Sequence, residues 1–151
     1  MDSTGISDKE WMAWRGYRRL AEVITGRIVK NITEATGLSG ADFMILMEIS
    51  KSPQGALLQR ELLEYLEWDK SRLSHQLSRM ASRQLVLRNR HDPAGISVSL
   101  TDTGRQTLAK ARPVHAESVR HHFLDRLTPE DVDLLIGITG RLRHSGSGFI
   151  E

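Results

Sequence analysis

The chain has 151 residues, 39% of them hydrophobic and 26% charged, with no cysteine and a formal net charge of +2. This composition fits one globular domain able to bury a core unaided, and it excludes a disulfide framework, a thiolate metal site and a cysteine nucleophile. No apolar run nears the roughly 20 residues of a membrane span. The polar, acidic opening lacks the pattern of a secretory leader, so the expected compartment is the cytoplasm and no membrane partner is expected.

Residues 7–34 have the pattern of a long helix. Ser7 and Glu10 form a capping box, and Gly37 supplies the stop. Trp11, Trp14, Tyr17, Ala21, Ile24, Ile28 and Ile32 recur in steps of three and four, which makes one apolar stripe. A second helix starts at Ser39, carries Phe43, Leu46, Met47 and Ile49, and stops before Ser52 and Pro53. A third, short helix spans about Gln59 to Leu66, with Leu62, Leu63 and Leu66 facing the core.

The turn Glu67-Trp68-Asp69 leads into a fourth helix, from Lys70 to about Arg83. The Asp69 carboxylate is placed to accept from the free N–H groups of its first turn. Leu73, Leu77, Met80 and Ala81 fall on one face. Arg72, His75, Gln76, Arg79 and Arg83 are expected on the other. Leu85–Arg90 and Ile96–Leu100 then predict a β-hairpin around the turn residues His91 to Gly95; the second segment alternates with period two.

A fifth helix is expected from Thr101 to about Leu127, kinked at Pro113, with Leu108, Ala111, His115, Val119 and His122 on its inner stripe. The last helix begins at Thr128-Pro129-Glu130-Asp131, an N-cap followed by Pro at the first helical position. Val132, Leu135, Ile136 and Leu142 line its apolar face. The fold class is therefore mainly α with a small β-wing. In a single domain of 1–151, a winged helix–turn–helix at 39–100 is flanked by dimerisation helices at 7–36 and 101–144, with a flexible tail at 145–151.

Charge is segregated along this order. From Lys70 to His91 the six basic residues Lys70, Arg72, Arg79, Arg83, Arg88 and Arg90 meet no acid, so the window carries +6. The remainder holds 15 basic and 19 acidic residues and sums to −4. A small cationic patch on an acidic body points to a polyanion met at one surface. In a winged helix–turn–helix the second helix of the motif enters the major groove and the wing reaches over the backbone. Arg72, His75 and Gln76 are the candidates to read bases, since Arg matches guanine O6 and N7 and Gln matches adenine N6 and N7. Ser71 and Ser74 can donate to phosphates or base edges. Lys70, Arg79, Arg83, Arg88 and Arg90 are candidates for backbone contact, with His91 and with Ser39 at the start of the second helix.

The apolar stripes of the outer helices are too long for the middle part to cover, so they are expected to pack together and against a second copy. A twofold dimer would set two recognition helices about 34 Å apart over an inverted repeat.

The stretch Glu61-Leu62 through Leu66, Lys70-Ser71-Arg72-Leu73-Ser74, Leu77, Arg79-Met80, Leu85-Val86, Arg88, Asp92 and Val98-Ser99-Leu100-Thr101 with Gly104 resembles the MarR family of transcriptional regulators. The resemblance runs from about Trp11 to Arg143. It implies an obligate homodimer on double-stranded DNA with a near-palindromic operator, with repression as the expected sense of regulation. It also implies a small aromatic or lipophilic effector held between the dimer helices and the winged part, where Trp14, Tyr17, Arg18, Met44 and Met47 are the candidate wall. Two positions depart from the family pattern. Gln84 stands where Gly often precedes Leu-Val, which predicts another turn geometry there. Ala94 stands where an arginine often sits near the wing tip, leaving Arg90 or His91 to substitute or the wing to contact only the backbone.

Two other functions have some footing. His115, His121 and His122 on one helix raise a zinc-responsive regulator, although some ligands would have to come from elsewhere and no metal or other cofactor is expected. The basic face could instead dock an acidic protein, making the chain a protein-interaction module. No enzyme is expected, since neither a phosphate-cradling glycine loop nor a G-x-S-x-G elbow is present.

Overall fold

A computed structural model describes residues 5–143 of the chain. The expected tail at 145–151 lies outside the described residues. The elements in chain order are α1 (Asp8–Thr36), α2 (Gly40–Lys51), β1 (Ala56–Leu58), α3 (Gln59–Leu66), α4 (Lys70–Ser82), β2 (Val86–His91), β3 (Gly95–Leu100), α5 (Asp102–His122), a 3-10 turn (Leu124–Arg126) and α6 (Pro129–Arg143). The fold is mainly helical with a small antiparallel sheet, as expected.

Local chemistry sets the boundaries. Glu10 Oε2 accepts from the Ser7 N–H at 2.7 Å and closes the box that starts α1. Gly37 ends it in the left-handed conformation, at φ 75°, where glycine avoids the steric cost of a Cβ. Ser39 and Asp42 repeat the same box at the start of α2. Asp69 Oδ1 accepts from the Arg72 N–H at 2.8 Å and caps α4.

The sheet has three strands in the order β1-β3-β2. The hairpin registers Val86 on Leu100 and Arg88 on Val98. The extra strand β1 pairs antiparallel with β3, Leu57 against Val98. It ties the approach to α3 to the wing. The expected fifth helix is shorter than the sequence pattern predicts. It stops at His122, where Phe123 leaves helical geometry and the 3-10 turn intervenes before α6.

Gln84 does not impose a different turn. Its φ is 60°, so the left-handed conformation expected of glycine is kept by a glutamine. Leu85 N–H donates to the Met80 carbonyl at 3.0 Å and Gln84 N–H to that of Ala81 at 2.9 Å. The Thr101 hydroxyl donates in turn to the Gln84 carbonyl. A Cβ on Gly104 would collide with the Leu85 carbonyl oxygen. Glycine at 104 thus lets α5 start directly against the end of the helix–turn–helix.

The core is concentrated in the winged part and the helix segments that brace it. Ile32, Leu38, Ile45, Leu46, Ile49, Leu62, Leu73, Leu77, Met80, Val86 and Val98 are fully buried. Each such side chain contributes roughly 1.5–3 kcal/mol. The outer helices differ. Of α1, only Ile32 is buried, and no described residue of α6 is. Leu20, Leu134, Ile136 and Leu142 are each more than half exposed. Among the described residues, the backbone of α6 has no extensive contact with another element.

Candidate nucleic-acid interface

The fourth helix divides along its length because its apolar positions recur at i, i+3, i+4 and i+7. Leu73, Gln76, Leu77 and Met80 point inward. Lys70, Ser71, Arg72, His75, Ser78 and Arg79 are exposed, and Ser74 is half-buried. The outer face therefore carries most of the predicted contact residues, with two corrections.

Gln76 is not on it. The side chain is buried, and Nε2 donates to Asp42 Oδ1 at 2.7 Å. It occupies a core position because the buried Asp42 needs a donor. Its Oε1 accepts from Arg79 Nη2 at 2.6 Å.

Arg83 remains partly exposed but is tied back to the protein. Nη1 lies 2.6 Å from Asp42 Oδ2, and Nη2 donates to the Gly37 carbonyl at 3.0 Å. Its charge is neutralised by a carboxylate that is itself only 1% exposed. Ser39 is exposed at the start of α2, where its hydroxyl accepts from the Asp42 N–H at 3.0 Å as the helix cap. Ser39, Asp42, Gln76, Arg79 and Arg83 border one groove of about 570 Å³ between the end of α1 and α4.

The remaining cations stay available. Lys70, Arg72, Arg79 and Arg88 ion-pair with no carboxylate among the described residues. The Arg72 guanidinium carbon lies over the Trp68 ring, 3.9 Å from its centroid. Arg88 Nη1 donates to Ser78 Oγ at 3.0 Å and joins the wing to α4. Arg90 lies 3.6 Å from Asp92, both well exposed, a geometry that contributes little. The His91 ring nitrogen Nε2 is 2.9 Å from Ser97 Oγ. Asp42 and Trp68 belong to this site although no sequence motif singles them out for it. Asp42, three residues after Ser39, stands where a capping-box partner would, and nothing local marks it as a hub.

The candidate effector wall is not assembled within one chain. Trp14 and Tyr17 are exposed, with ring centroids 6.0 Å apart. Arg18 and Met44 are also exposed, whereas Met47 packs on the core. Tyr17 lines an apolar cavity of about 450 Å³ with Leu20, Ile24, Phe123, Val132 and Leu135. Trp14, Arg18, Met44 and Met47 do not border it.

The histidines of α5 have local partners. His115 packs against Phe43 with ring centroids 4.9 Å apart. Asn31 Nδ2 donates to Ser118 Oγ at 2.9 Å and approaches His122 Nε2 at 3.2 Å. Among the described residues, no three His, Cys, Asp or Glu side chains are grouped to hold a metal ion.

The family model for the MarR family matches residues 36–95. AbsC, a MarR family transcriptional regulator from Streptomyces coelicolor, is 34% identical with a TM-score of 0.84, over 94% of this chain and 99% of that one. The chain belongs to the MarR family. It is a DNA-binding transcriptional regulator of winged-helix architecture. A second S. coelicolor regulator of the family, Sco3205, solved in complex with DNA, is 27% identical with a TM-score of 0.88, over 95% of this chain and 91% of that one. The organohalide-sensing regulator RdhR-CbdbA1625, solved with 2,4-dichlorophenol bound, shares the fold at 16% identity and a TM-score of 0.79, over 96% of this chain and 85% of that one. No curated protein sequence matches the chain. No helix of this MarR-family chain, among the described residues, is long and apolar enough to cross a membrane.

Proposed function

We propose that this MarR-family regulator is a homodimeric repressor that reads a near-palindromic duplex operator through α4 and its wing, and that a small aromatic or lipophilic ligand releases it. The observation that carries the DNA-reading part is the ridge of exposed Lys70, Arg72 and Arg79 with half-buried Arg88 beside them, none of them paired with a carboxylate among the described residues. On that ridge Arg72 and His75 are the base-reading candidates, with Ser71 and Ser74 beside them. Lys70, Arg79 and Arg88 meet phosphates, and Arg90 and His91 extend the contact along the wing.

Dimerisation is supported by the outer helices. Leu20, Leu134, Ile136 and Leu142 expose apolar surface, and among the described residues α6 lacks an extensive backbone partner in its own chain. A second copy supplies the missing cover, since a twofold contact presents the same patch from both sides. The apolar cavity beside Tyr17 lies within this region. A ligand there, or against Trp14, Arg18 and Met44, acts by favouring one separation of the two recognition helices over another. The dichlorophenol-bound relative is the precedent for a small aromatic effector.

Selection of bound duplexes from a random pool, combined with sedimentation, tests this. The expected result is a dimer and an inverted-repeat consensus whose half-sites lie about one helical turn apart. A monomer, or a pool without consensus, contradicts it. The second outcome would favour an acidic protein as the partner of the ridge.

A further inference from the structure

We propose that Trp68 is a specificity-determining residue. It positions Arg72 face-on, so that the edge of the guanidinium is presented to a guanine of the operator. The inference rests on the duplex-reading role proposed above.

The geometry is built from both ends. Trp68 sits in the turn between α3 and α4, is half-buried, and packs against the hydrophobic core. The chain enters this turn through Glu67, held at φ 52°. Two residues later Asp69 caps α4 by accepting from the Arg72 N–H at 2.8 Å. The cap fixes the backbone of Arg72, and the indole fixes its head. The guanidinium carbon lies 3.9 Å from the ring centroid, the contact distance of a stacked cation–π pair.

Stacking uses the face of a guanidinium and leaves its rim of N–H donors in the open plane. Bidentate recognition of guanine O6 and N7 needs that rim. Arg72 has no side-chain hydrogen bond and no ion pair among the described residues. Arg79, the other arginine within α4, already donates through Nη2 to Gln76 Oε1. Of these two, Arg72 alone combines a restrained head with an unoccupied fork. An arginine restrained before binding loses less rotamer freedom when it docks, so more of its hydrogen-bond energy appears as discrimination between bases.

The test uses the full-length protein and a random duplex pool. The native consensus is compared with that of Arg72→Ala, which identifies the position Arg72 reads. Trp68→Leu, Trp68→Phe and the double variant Trp68→Leu/Arg72→Ala are then measured on the four bases at that position, with thermal melts confirming the fold. Trp68→Leu is expected to lower the preference for guanine there by about fivefold while leaving the other positions intact. Trp68→Phe, which keeps an aromatic face, is expected to retain most of it. The loss is expected to vanish in the Arg72→Ala background.

A native protein that enriches no sequence refutes duplex reading itself. The role of Trp68 alone is refuted by any of three results: Arg72→Ala alters no position, Trp68→Leu weakens all bases equally, or its effect persists without Arg72. If Trp68→Leu fails to fold, a folded Trp68→Met, which keeps apolar bulk without an aromatic face, takes its place: a loss of guanine preference confined to that position supports the proposal, and an unchanged preference overturns it.

Discussion

Gln76 Nε2 donates a 2.7 Å hydrogen bond to Asp42 Oδ1, joining the inner face of the recognition helix to the first turn of α2. Arg83 approaches the other carboxylate oxygen at 2.6 Å, and its second nitrogen reaches the Gly37 carbonyl at the end of α1. One buried carboxylate thus fixes α4 against both helices that brace it.

Removing that carboxylate should be costly. Asp42→Ala leaves Gln76 and Arg83 without their acceptor and strips the α2 box. The expected loss is about 3 kcal/mol, moderated because Arg83 can turn to water. Gln76→Ala should cost about 1–2 kcal/mol and weaken DNA binding evenly across sequences. Denaturant titration and a base-substitution series on the operator check both. A preference lost at one base only would restore Gln76 as a direct reader.

The junction of wing and α5 gives two substitutions of opposite sign. Gly104→Ala forces a methyl into the Leu85 carbonyl and should destabilise by about 3 kcal/mol. Gln84→Gly relieves a left-handed glutamine at φ 60° and should stabilise by up to about 1 kcal/mol, less the added freedom of the unfolded chain. Thermal melts of the two variants should move in opposite directions.

The outer apolar face should hold two chains together. Ile136 and Leu134 are each exposed by about 60% or more. Ile136→Asp or Leu134→Asp should weaken self-association by about a hundredfold or more while leaving the helical content of the monomer. Sedimentation with circular dichroism separates this from unfolding. A dimer of native strength in both variants contradicts it.

Acidification should destabilise the helical frame. Burial lowers the pKa of His115. That of His122 is lowered by burial first, then by the charges of His121, Arg27 and Arg126. An unfolded histidine binds its proton near pH 6.5, about the ordinary value. The folded imidazoles resist it, so the unfolded state holds more protons in the window and stability rises with pH. The contribution is complete above about pH 6.5 and is lost as pH falls through the lowered folded values. The denaturation midpoint should therefore drop below that pH, and His115→Phe should flatten part of the drop. A midpoint with the same pH slope in both proteins contradicts this.

Much of this fold was legible because caps and stripes are local. Ser7 with Glu10, Asp69, and the alternation of Ile96, Val98 and Leu100 each announce their element within a few residues. Strand β1 was not legible. Ala56-Leu57-Leu58 is too short to show a period, and only its pairing with β3 makes it a strand. The site was legible as a charged helix face but not in its internal wiring. Arg83 and Gln76 read as surface residues by type. The spacing of Leu73, Gln76, Leu77 and Met80 put Gln76 on the inward stripe all along, and its polarity masked that. The partner of Arg83 is 41 residues away in sequence, beyond the reach of a local pattern. Trp14 and Tyr17 stand exposed within one chain, where the proposed dimer would supply their remaining surroundings.

The central claim is that the free cations of α4 and the wing lie on duplex phosphate. Its most direct test is the salt dependence of duplex affinity for the native protein and for Arg79→Ala and Arg83→Ala. The account predicts a steep negative log–log slope for the native protein. Arg79→Ala should make it shallower by about 0.9 per contact removed, whereas Arg83→Ala, whose charge is already neutralised by Asp42, should leave it nearly unchanged. A flat native slope, or a slope that Arg79→Ala does not alter, would contradict the account.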